Sequence, residues 1–450
     1  CYVAYCLRVT CILRAFLSHS SVMKPFVLFV CIVSVLRAAA QLPVAEPPRS
    51  TDTRQISVEE YCESVTAYSR QLKSAAEQRI ESVEEMGRIR TGFLPRLSAS
   101  GSFSVAVRRF NDAERWTFAV EPQIVQTIYG GGATRAAYRQ AELGYGIALC
   151  NEEFTRLEVR YAAEYAYWNL SAMQLFADAM QRYVAIIRSL KEVVDRRFAE
   201  GYIAKGDVLM IDTRLSEAEY QAVTTERDYI VALHNFNILR GAAPEAEVAL
   251  AEGIRDSLPA PKRREGIEAL ERRPDYAAAQ LRAEQAGVAV RAARAPYNPQ
   301  LGVGIGGMWQ PYSPNRNGST YLDGKAFVQL SVPIFHWGER RRAVGAAEAA
   351  RRRSEWDAAE LQDDIVREEM NGWTAMLESR AQVGATEYNL RIAGENLEIS
   401  TYSYGEGMVT ILDVMQAQLS WIQIYTNAIQ AHYSYAVAVS DYRRITADFQ

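Results

Sequence analysis

The sequence predicts an α+β membrane protein made of two structural repeats, each running helix, strand, strand, long helix, turn, helix. Three observations carry this. The chain resembles itself over most of its length, two stretches free of proline (133–200 and 339–404) are far too long for a globular helix, and four short runs alternate apolar with polar residues.

The repeat is a matter of register. Phe93-Leu94-Pro95-Arg96-Leu97 returns as Tyr297-Asn298-Pro299-Gln300-Leu301, and the same shift sets Leu72 on Tyr276 and Arg90 on Arg294. Two residues later in register, Ile128-Tyr129-Gly130-Gly131-Gly132 aligns with Ile334-Phe335-His336-Trp337-Gly338. From there Glu200-Gly201 falls on Glu406-Gly407, Asp207-Val208-Leu209 on Asp413-Val414-Met415, and Phe236 on Tyr442, with no gap. The units are 57–241 and 266–450. Between them 242–265, rich in Ala, Glu and Pro, reads as an inter-repeat linker, and 41–56 as an N-terminal linker.

Ahead of the repeats, Met23-Lys24 leads an apolar run from Phe26 to Leu36 that closes on Arg37-Ala38-Ala39-Ala40. A basic start, a short apolar core and an Ala-x-Ala end predict a cleavable export signal over 23–40, with 1–22 a non-native upstream extension. Cleavage removes four cations and no acid, which takes the formal charge from -4 to -8. It leaves Cys62 and Cys150, too few for a disulfide scaffold or a zinc site.

In the long helix 133–200, Leu157, Tyr161, Tyr165, Trp168, Ala172 and Leu175 recur at spacings of three and four, one helical face. At 1.5 Å per residue this helix and its partner 339–404 each run about 100 Å, so they must pack lengthwise. Shorter helices follow at 207–241 and 413–446. The strands are predicted at 97–107, 116–126, 301–309 and 325–335. Leu97, Ala99, Phe103 and Val105 alternate with serines, and Ala326, Val328, Leu330 and Val332 with Phe327, Gln329 and Ser331. Each run has the length of a tilted membrane strand. Phe93, Trp116, Tyr297, Trp309, Phe335 and Trp337 stand near the strand ends like an interfacial girdle. Four strands cannot close in lipid, so other copies must complete them, and three copies give twelve strands.

Composition agrees: 49% hydrophobic, 23% charged and a mean hydropathy of -0.17 exclude a helical polytopic membrane protein, a disordered chain and a basic nucleic-acid binder, but not a barrel. No catalytic, cofactor or metal constellation emerges. Gly302-x-Gly304-x-x-Gly307 matches a dinucleotide fingerprint but is followed by Trp309-Gln310-Pro311 instead of a helix. His19, His234, His336 and His432 are scattered. Arg340–Arg342, Arg351–Arg353, Asp363-Asp364 and Glu368-Glu369 read as solvated helix faces.

The two Pro-x-Leu elements at Pro95 and Pro299, the strand-to-helix turns at Gly132 and at Pro333 to Gly338, and the paired turns Glu200-Gly201…Asp207 and Glu406-Gly407…Asp413 resemble the TolC family of outer-membrane efflux proteins over 57–447. The resemblance implies a homotrimer with a twelve-stranded barrel among outer-membrane lipid and a long α-helical barrel in the periplasm. It implies a passive exit duct for tripartite efflux or type I secretion, opened at its tip by a periplasmic adaptor and an inner-membrane RND or ABC exporter. It implies no enzyme, cofactor or nucleic acid. The tip turns, with Gly201, Tyr202, Gly407 and Met408, are then the adaptor's docking points. Asp413 matches an acid that rings the entrance, while Gln416 replaces a second acid one turn on, which argues against strong cation block. Tyr404 and Asp207 match two members of a closing latch, and Val409 replaces its arginine, so a latch here is weaker or built differently. Asp207 and Asp413 also read as helix N-caps, a role compatible with the gate. The alternative is a periplasmic coiled-coil scaffold without a pore.

Overall fold

Turns built on glycine or proline, at Pro95, Gly132, Gly201, Pro299, Gly338 and Gly407, bound the long helices and two of the strands. A computed structural model describes residues 55–105, 107, 116–256, 258–310 and 320–449. The export signal, the upstream extension and most of the N-terminal linker lie outside the described residues, as do the strand-connecting tips at 108–115 and 311–319.

The elements are β1 (Gln55–Ile56), α1 (Val58–Tyr68), α2 (Arg70–Arg90), β2 (Arg96–Val105), β3 (Trp116–Gly130), α3 (Ala133–Ala199), α4 (Lys205–Leu239), β4 (Ala249–Leu250), α5 (Gly266–Arg272), α6 (Pro274–Arg294), β5 (Gln300–Gln310), β6 (Tyr321–Ser331), α7 (Glu339–Gly405) and α8 (Ile411–Ile445). Both α3 and α7 have 67 residues, and both α4 and α8 have 35.

The strands form one antiparallel sheet in the order β2-β3-β5-β6. The helices joined to them follow the same order, α2 beside α3, α3 beside α6 and α6 beside α7. The sheet therefore continues into a single layer of helices. Further along, α3 pairs with α4, α7 with α8, and α3 also with α8. The main core lies where α1, α3, α4 and α8 meet. There Tyr61 stacks on Phe236 with centroids 3.8 Å apart and donates its hydroxyl to the Phe236 carbonyl at 3.0 Å. A stacked aromatic pair contributes about 1 kcal/mol beyond its buried area.

Several boundaries differ from the sequence reading. β3 runs on to Gly130 instead of stopping at 126, because a bulge around Ile128 absorbs one residue and lets Thr127 pair with Gly302 and Tyr129 with Leu301. β6 is shifted back to 321–331 from 325–335. Pro333 has no N–H to donate, while Asp323 and Gly324, ahead of the strand as read from the sequence, pair with Met308 and Gly307. α4 and α8 start at Lys205 and Ile411, two residues early, since Ala204 and Thr410 are the caps. Segment 242–265 is tied down: β4 pairs in parallel with β1, and Ile254, buried, donates its N–H to the Ser171 hydroxyl at 3.1 Å. Glu369 is not surface; it is 1% exposed and accepts from the Tyr442 hydroxyl at 3.1 Å and from Arg263 at 3.4 Å.

Candidate functional site: the sheet and the helical tip

Side chains alternate across a strand, so register decides which residues share a face. Rows across all four strands read Leu97–Ile124–Ile305–Ala326 and Gly101–Val120–Trp309–Leu322 on one face. On the other they read Ser98–Gln123–Gly306–Lys325 and Arg96–Val125–Gly304–Phe327. The sheet is thus apolar on one side and mainly polar or glycine on the other. The apolar side is bare: Leu97 is 76% exposed, Leu322 77% and Val328 72%. Among the described residues β2 and β6 each have one partner, so both sheet edges are open. No helix among the described residues is long and apolar enough to cross a membrane.

The turns at the sheet's helical end are built on conformation. Pro95 and Pro299 each follow a 3-10 turn and lead into β2 and β5. Gly132 (φ 96°) and Gly338 (φ 80°) are the N-caps of α3 and α7, in the left-handed region that glycine adopts without strain. Pro333 lies in the extended connection from β6 to α7. Trp337, at φ 47° and 91% exposed, ends that connection.

At the far end both long helices close in the same way. Gly201 and Gly407 each take φ 79°, and the N–H groups of Tyr202 and Met408 reach back to the carbonyls of Arg197 (2.9 Å) and Ser403 (2.8 Å). This is a Schellman motif, which satisfies the last carbonyls of a helix. It leaves Tyr202 and Met408 78% and 68% exposed at the extremity.

Asp413 sits third in α8 and is not its N-cap. Thr410 is the cap, in a reciprocal box: the Thr410 N–H and hydroxyl donate to the Asp413 carboxylate at 2.9 and 2.7 Å, and Thr410 Oγ1 accepts from the Asp413 N–H at 3.4 Å. These bonds hold the Asp413 carboxyl below its usual range, the hydroxyl contributing most. Asp207 holds the matching place in α4, but its cap is Ala204 and no side chain closes the box. From Asp413 an exposed stripe runs along α8 through Gln416, Ser420, Gln423, Asn427 and Gln430, at alternate steps of three and four and without a second charge.

Tyr404 and Asp207 line one groove of about 660 Å3 with Tyr202 and Val409. No hydrogen bond joins Tyr404 to Asp207, and the buried Tyr404 hydroxyl has no partner among the described residues. Arg197, at the end of α3, lines the same groove. Its Nη2 donates to the Gly405 carbonyl at 2.7 Å, and its guanidinium lies 4.7 Å from the centre of the Tyr404 ring. Burial raises the Tyr404 hydroxyl's pKa, with the Arg197 charge opposing. Arg197 carries no motif in the sequence; it stands one turn before the Glu200-Gly201 turn, which was the only hint. Beside this, the Gln418 amide is 1% exposed with neither atom hydrogen-bonded among the described residues. No group of three or more metal-ligating side chains occurs among the described residues.

The model of the outer membrane efflux protein family matches residues 63–241 and 267–447, nearly the whole described chain. The chain belongs to the outer membrane efflux protein family. Its fold is shared with solved structures of low identity. A structure of CusC, reported with its folding and transmembrane channel formation, aligns with a TM-score of 0.78 and 15% identity over 90% of this chain and 98% of that one. VceC of Vibrio cholerae aligns at 0.75 and 18% identity over 87% and 97%. CmeC of Campylobacter jejuni, an outer membrane channel, aligns at 0.76 and 17% identity over 91% and 90%. No curated protein matches the chain by sequence. As a family member the chain is an outer-membrane channel protein of efflux transport, in a family of channels and not enzymes.

Proposed function

We propose that three copies close their sheets into one twelve-stranded barrel standing on a long α-helical barrel, a passive exit duct of a tripartite efflux or type I secretion system. The observation that carries this is the two-faced sheet with two open edges. A bare apolar face suits lipid, but unpaired edge groups are not viable there, and β6 of one copy against β2 of the next removes both. The helices support the same reading. α7 exposes Trp356 (73%), Ile399 (65%) and Tyr402 (67%), and α4 exposes Tyr220 (74%) and Val223 (71%), apolar faces that neighbouring copies cover.

Family membership supports a homotrimer that meets a periplasmic adaptor at the tip turns, where Tyr202 and Met408 are exposed. An inner-membrane RND or ABC exporter drives solute through the open duct. Opening spreads the α3/α4 and α7/α8 hairpins, with Arg197, Tyr404 and Asp207 at the contact between them. The α8 stripe lines the entrance, where three copies of Asp413 form one acidic ring and Gln416 adds none. Convergent carboxylates favour cations. In planar bilayers Asp413→Ala should raise single-channel conductance or relieve divalent-cation block; unchanged conductance and block would reject the gate role.

A further inference from the structure

Where the sheet meets the helices, charge is lopsided. In the two helical turns nearest the strands, 84–90, 133–139, 288–294 and 339–345, nine arginines stand against three glutamates, in a chain whose formal charge is -4. Four of these arginines, Arg135 and Arg139 from α3 and Arg291 and Arg294 from α6, line one groove of about 540 Å3 together with Gly132 and Asn298. Two are occupied: Arg139 pairs with Glu142 and Glu284, both at 2.7 Å, and Arg294 with Glu348 at 3.0 Å. Arg135 and Arg291 are exposed and have no ion-pair partner among the described residues. Gly132 caps α3 without a side-chain bond, so the positive end of the helix dipole adds to the same groove.

The groove opens on a definite side. Ala133, Thr134 and Ala137 of α3 share a different groove with Arg96, Val125 and Thr127, residues of the polar sheet face. At 100° per residue, Arg135 and Arg139 lie about 200–240° around α3 from Ala133. They therefore flank the apolar face of the sheet, just below its last paired row. Ile334 (92% exposed) and Trp337 (91%) mark the same level on the neighbouring connection.

We propose that this groove binds the phosphate of an anionic phospholipid in the membrane leaflet facing the periplasm. The inference rests on the reading that the apolar sheet face meets lipid. Bidentate guanidinium donors match phosphate geometry, and a cation beside an apolar membrane face meets headgroups and not bulk water.

The test uses the full-length assembly in detergent, with phosphatidylglycerol, phosphatidylcholine or inorganic phosphate added and bound lipid counted by native mass spectrometry. Phosphatidylglycerol should be retained over phosphatidylcholine. Arg135→Gln with Arg291→Gln should weaken retention roughly 25-fold, about fivefold per arginine, and the paired lysine substitutions, which keep the charge but lose the bidentate fork, should restore only part of it. Equal retention of the two lipids, or no loss in the glutamine pair, overturns the proposal. Displacement of the lipid by equimolar inorganic phosphate overturns the lipid as the source. If the glutamine pair keeps its lipid and still forms a detergent-requiring, SDS-resistant assembly, only this inference fails. If the unsubstituted protein leaves membranes in an alkaline wash without detergent, the membrane-sheet reading fails, and the lipid site with it.

Discussion

Arg197 is the most informative residue to remove. It joins the end of α3 to the end of α7, and so the two hairpins proposed to separate at the tip. Its bond to the Gly405 carbonyl, 2.7 Å and charge-assisted but solvent-exposed, contributes about 1 kcal/mol. Its stacking over Tyr404 at 4.7 Å adds roughly 0.5 kcal/mol. Losing both shifts the closed-to-open balance by about 1.5 kcal/mol in each protomer, on the order of 10-fold. Arg197→Ala should therefore raise the open fraction of single channels in planar bilayers by at least about that factor, up to saturation. Arg197→Lys, which keeps the charge but loses the planar stack, should fall between. An open fraction and closed-state conductance equal to those of the unsubstituted channel would refute the latch.

Two further outcomes are expected. Thr410→Val deletes the hydroxyl that does most to depress the Asp413 pKa. A depressed carboxyl stays charged down to a lower pH, and its contribution is lost only as pH falls through that lowered value. Divalent block in the valine variant should therefore fade at a higher pH than in the unsubstituted channel; superimposed pH profiles would contradict this. At the sheet, a Cβ on Gly304 would collide with the Phe327 ring and lie 3.0 Å from the Ile124 carbonyl, whereas one on Gly101 meets nothing within 4 Å. Gly304→Ala should destabilise the assembly by about 1–3 kcal/mol and Gly101→Ala by far less, compared by heating the SDS-resistant species.

The helix-rich α+β class and the family were legible because long-range order leaves local marks. Proline is missing from the whole of α3 and α7, apolar spacing of three and four runs along α3, and the Glu-Gly turns recur in register. The faces of the sheet were legible as alternation within each strand, but the rows across it were not. The bulge near Ile128 shifts register by one residue, and nothing in Thr127-Ile128-Tyr129 announces it. The tip was half legible. Gly201 and Gly407 signal helix ends because only their left-handed φ permits the closing bonds. Arg197 reaches across between two hairpins, and Glu369 is buried by partners 73 and 106 residues away. Contacts of that range depend on how helices cross, which single-sequence periodicity does not encode.

In the proposed assembly, copies of this chain complete each other at the open edges β2 and β6. Within one sheet these edges are separated by two strands, about 14 Å apart at normal spacing, too far for a disulfide. With Cys62 and Cys150 replaced by alanine, cysteine at Ser100 combined in turn with cysteines along Lys325 to Ser331 should cross-link in native membranes. A covalent ladder that stops at three copies is expected for at least one pairing. Monomer alone at every pairing, or a ladder running past three, would contradict it.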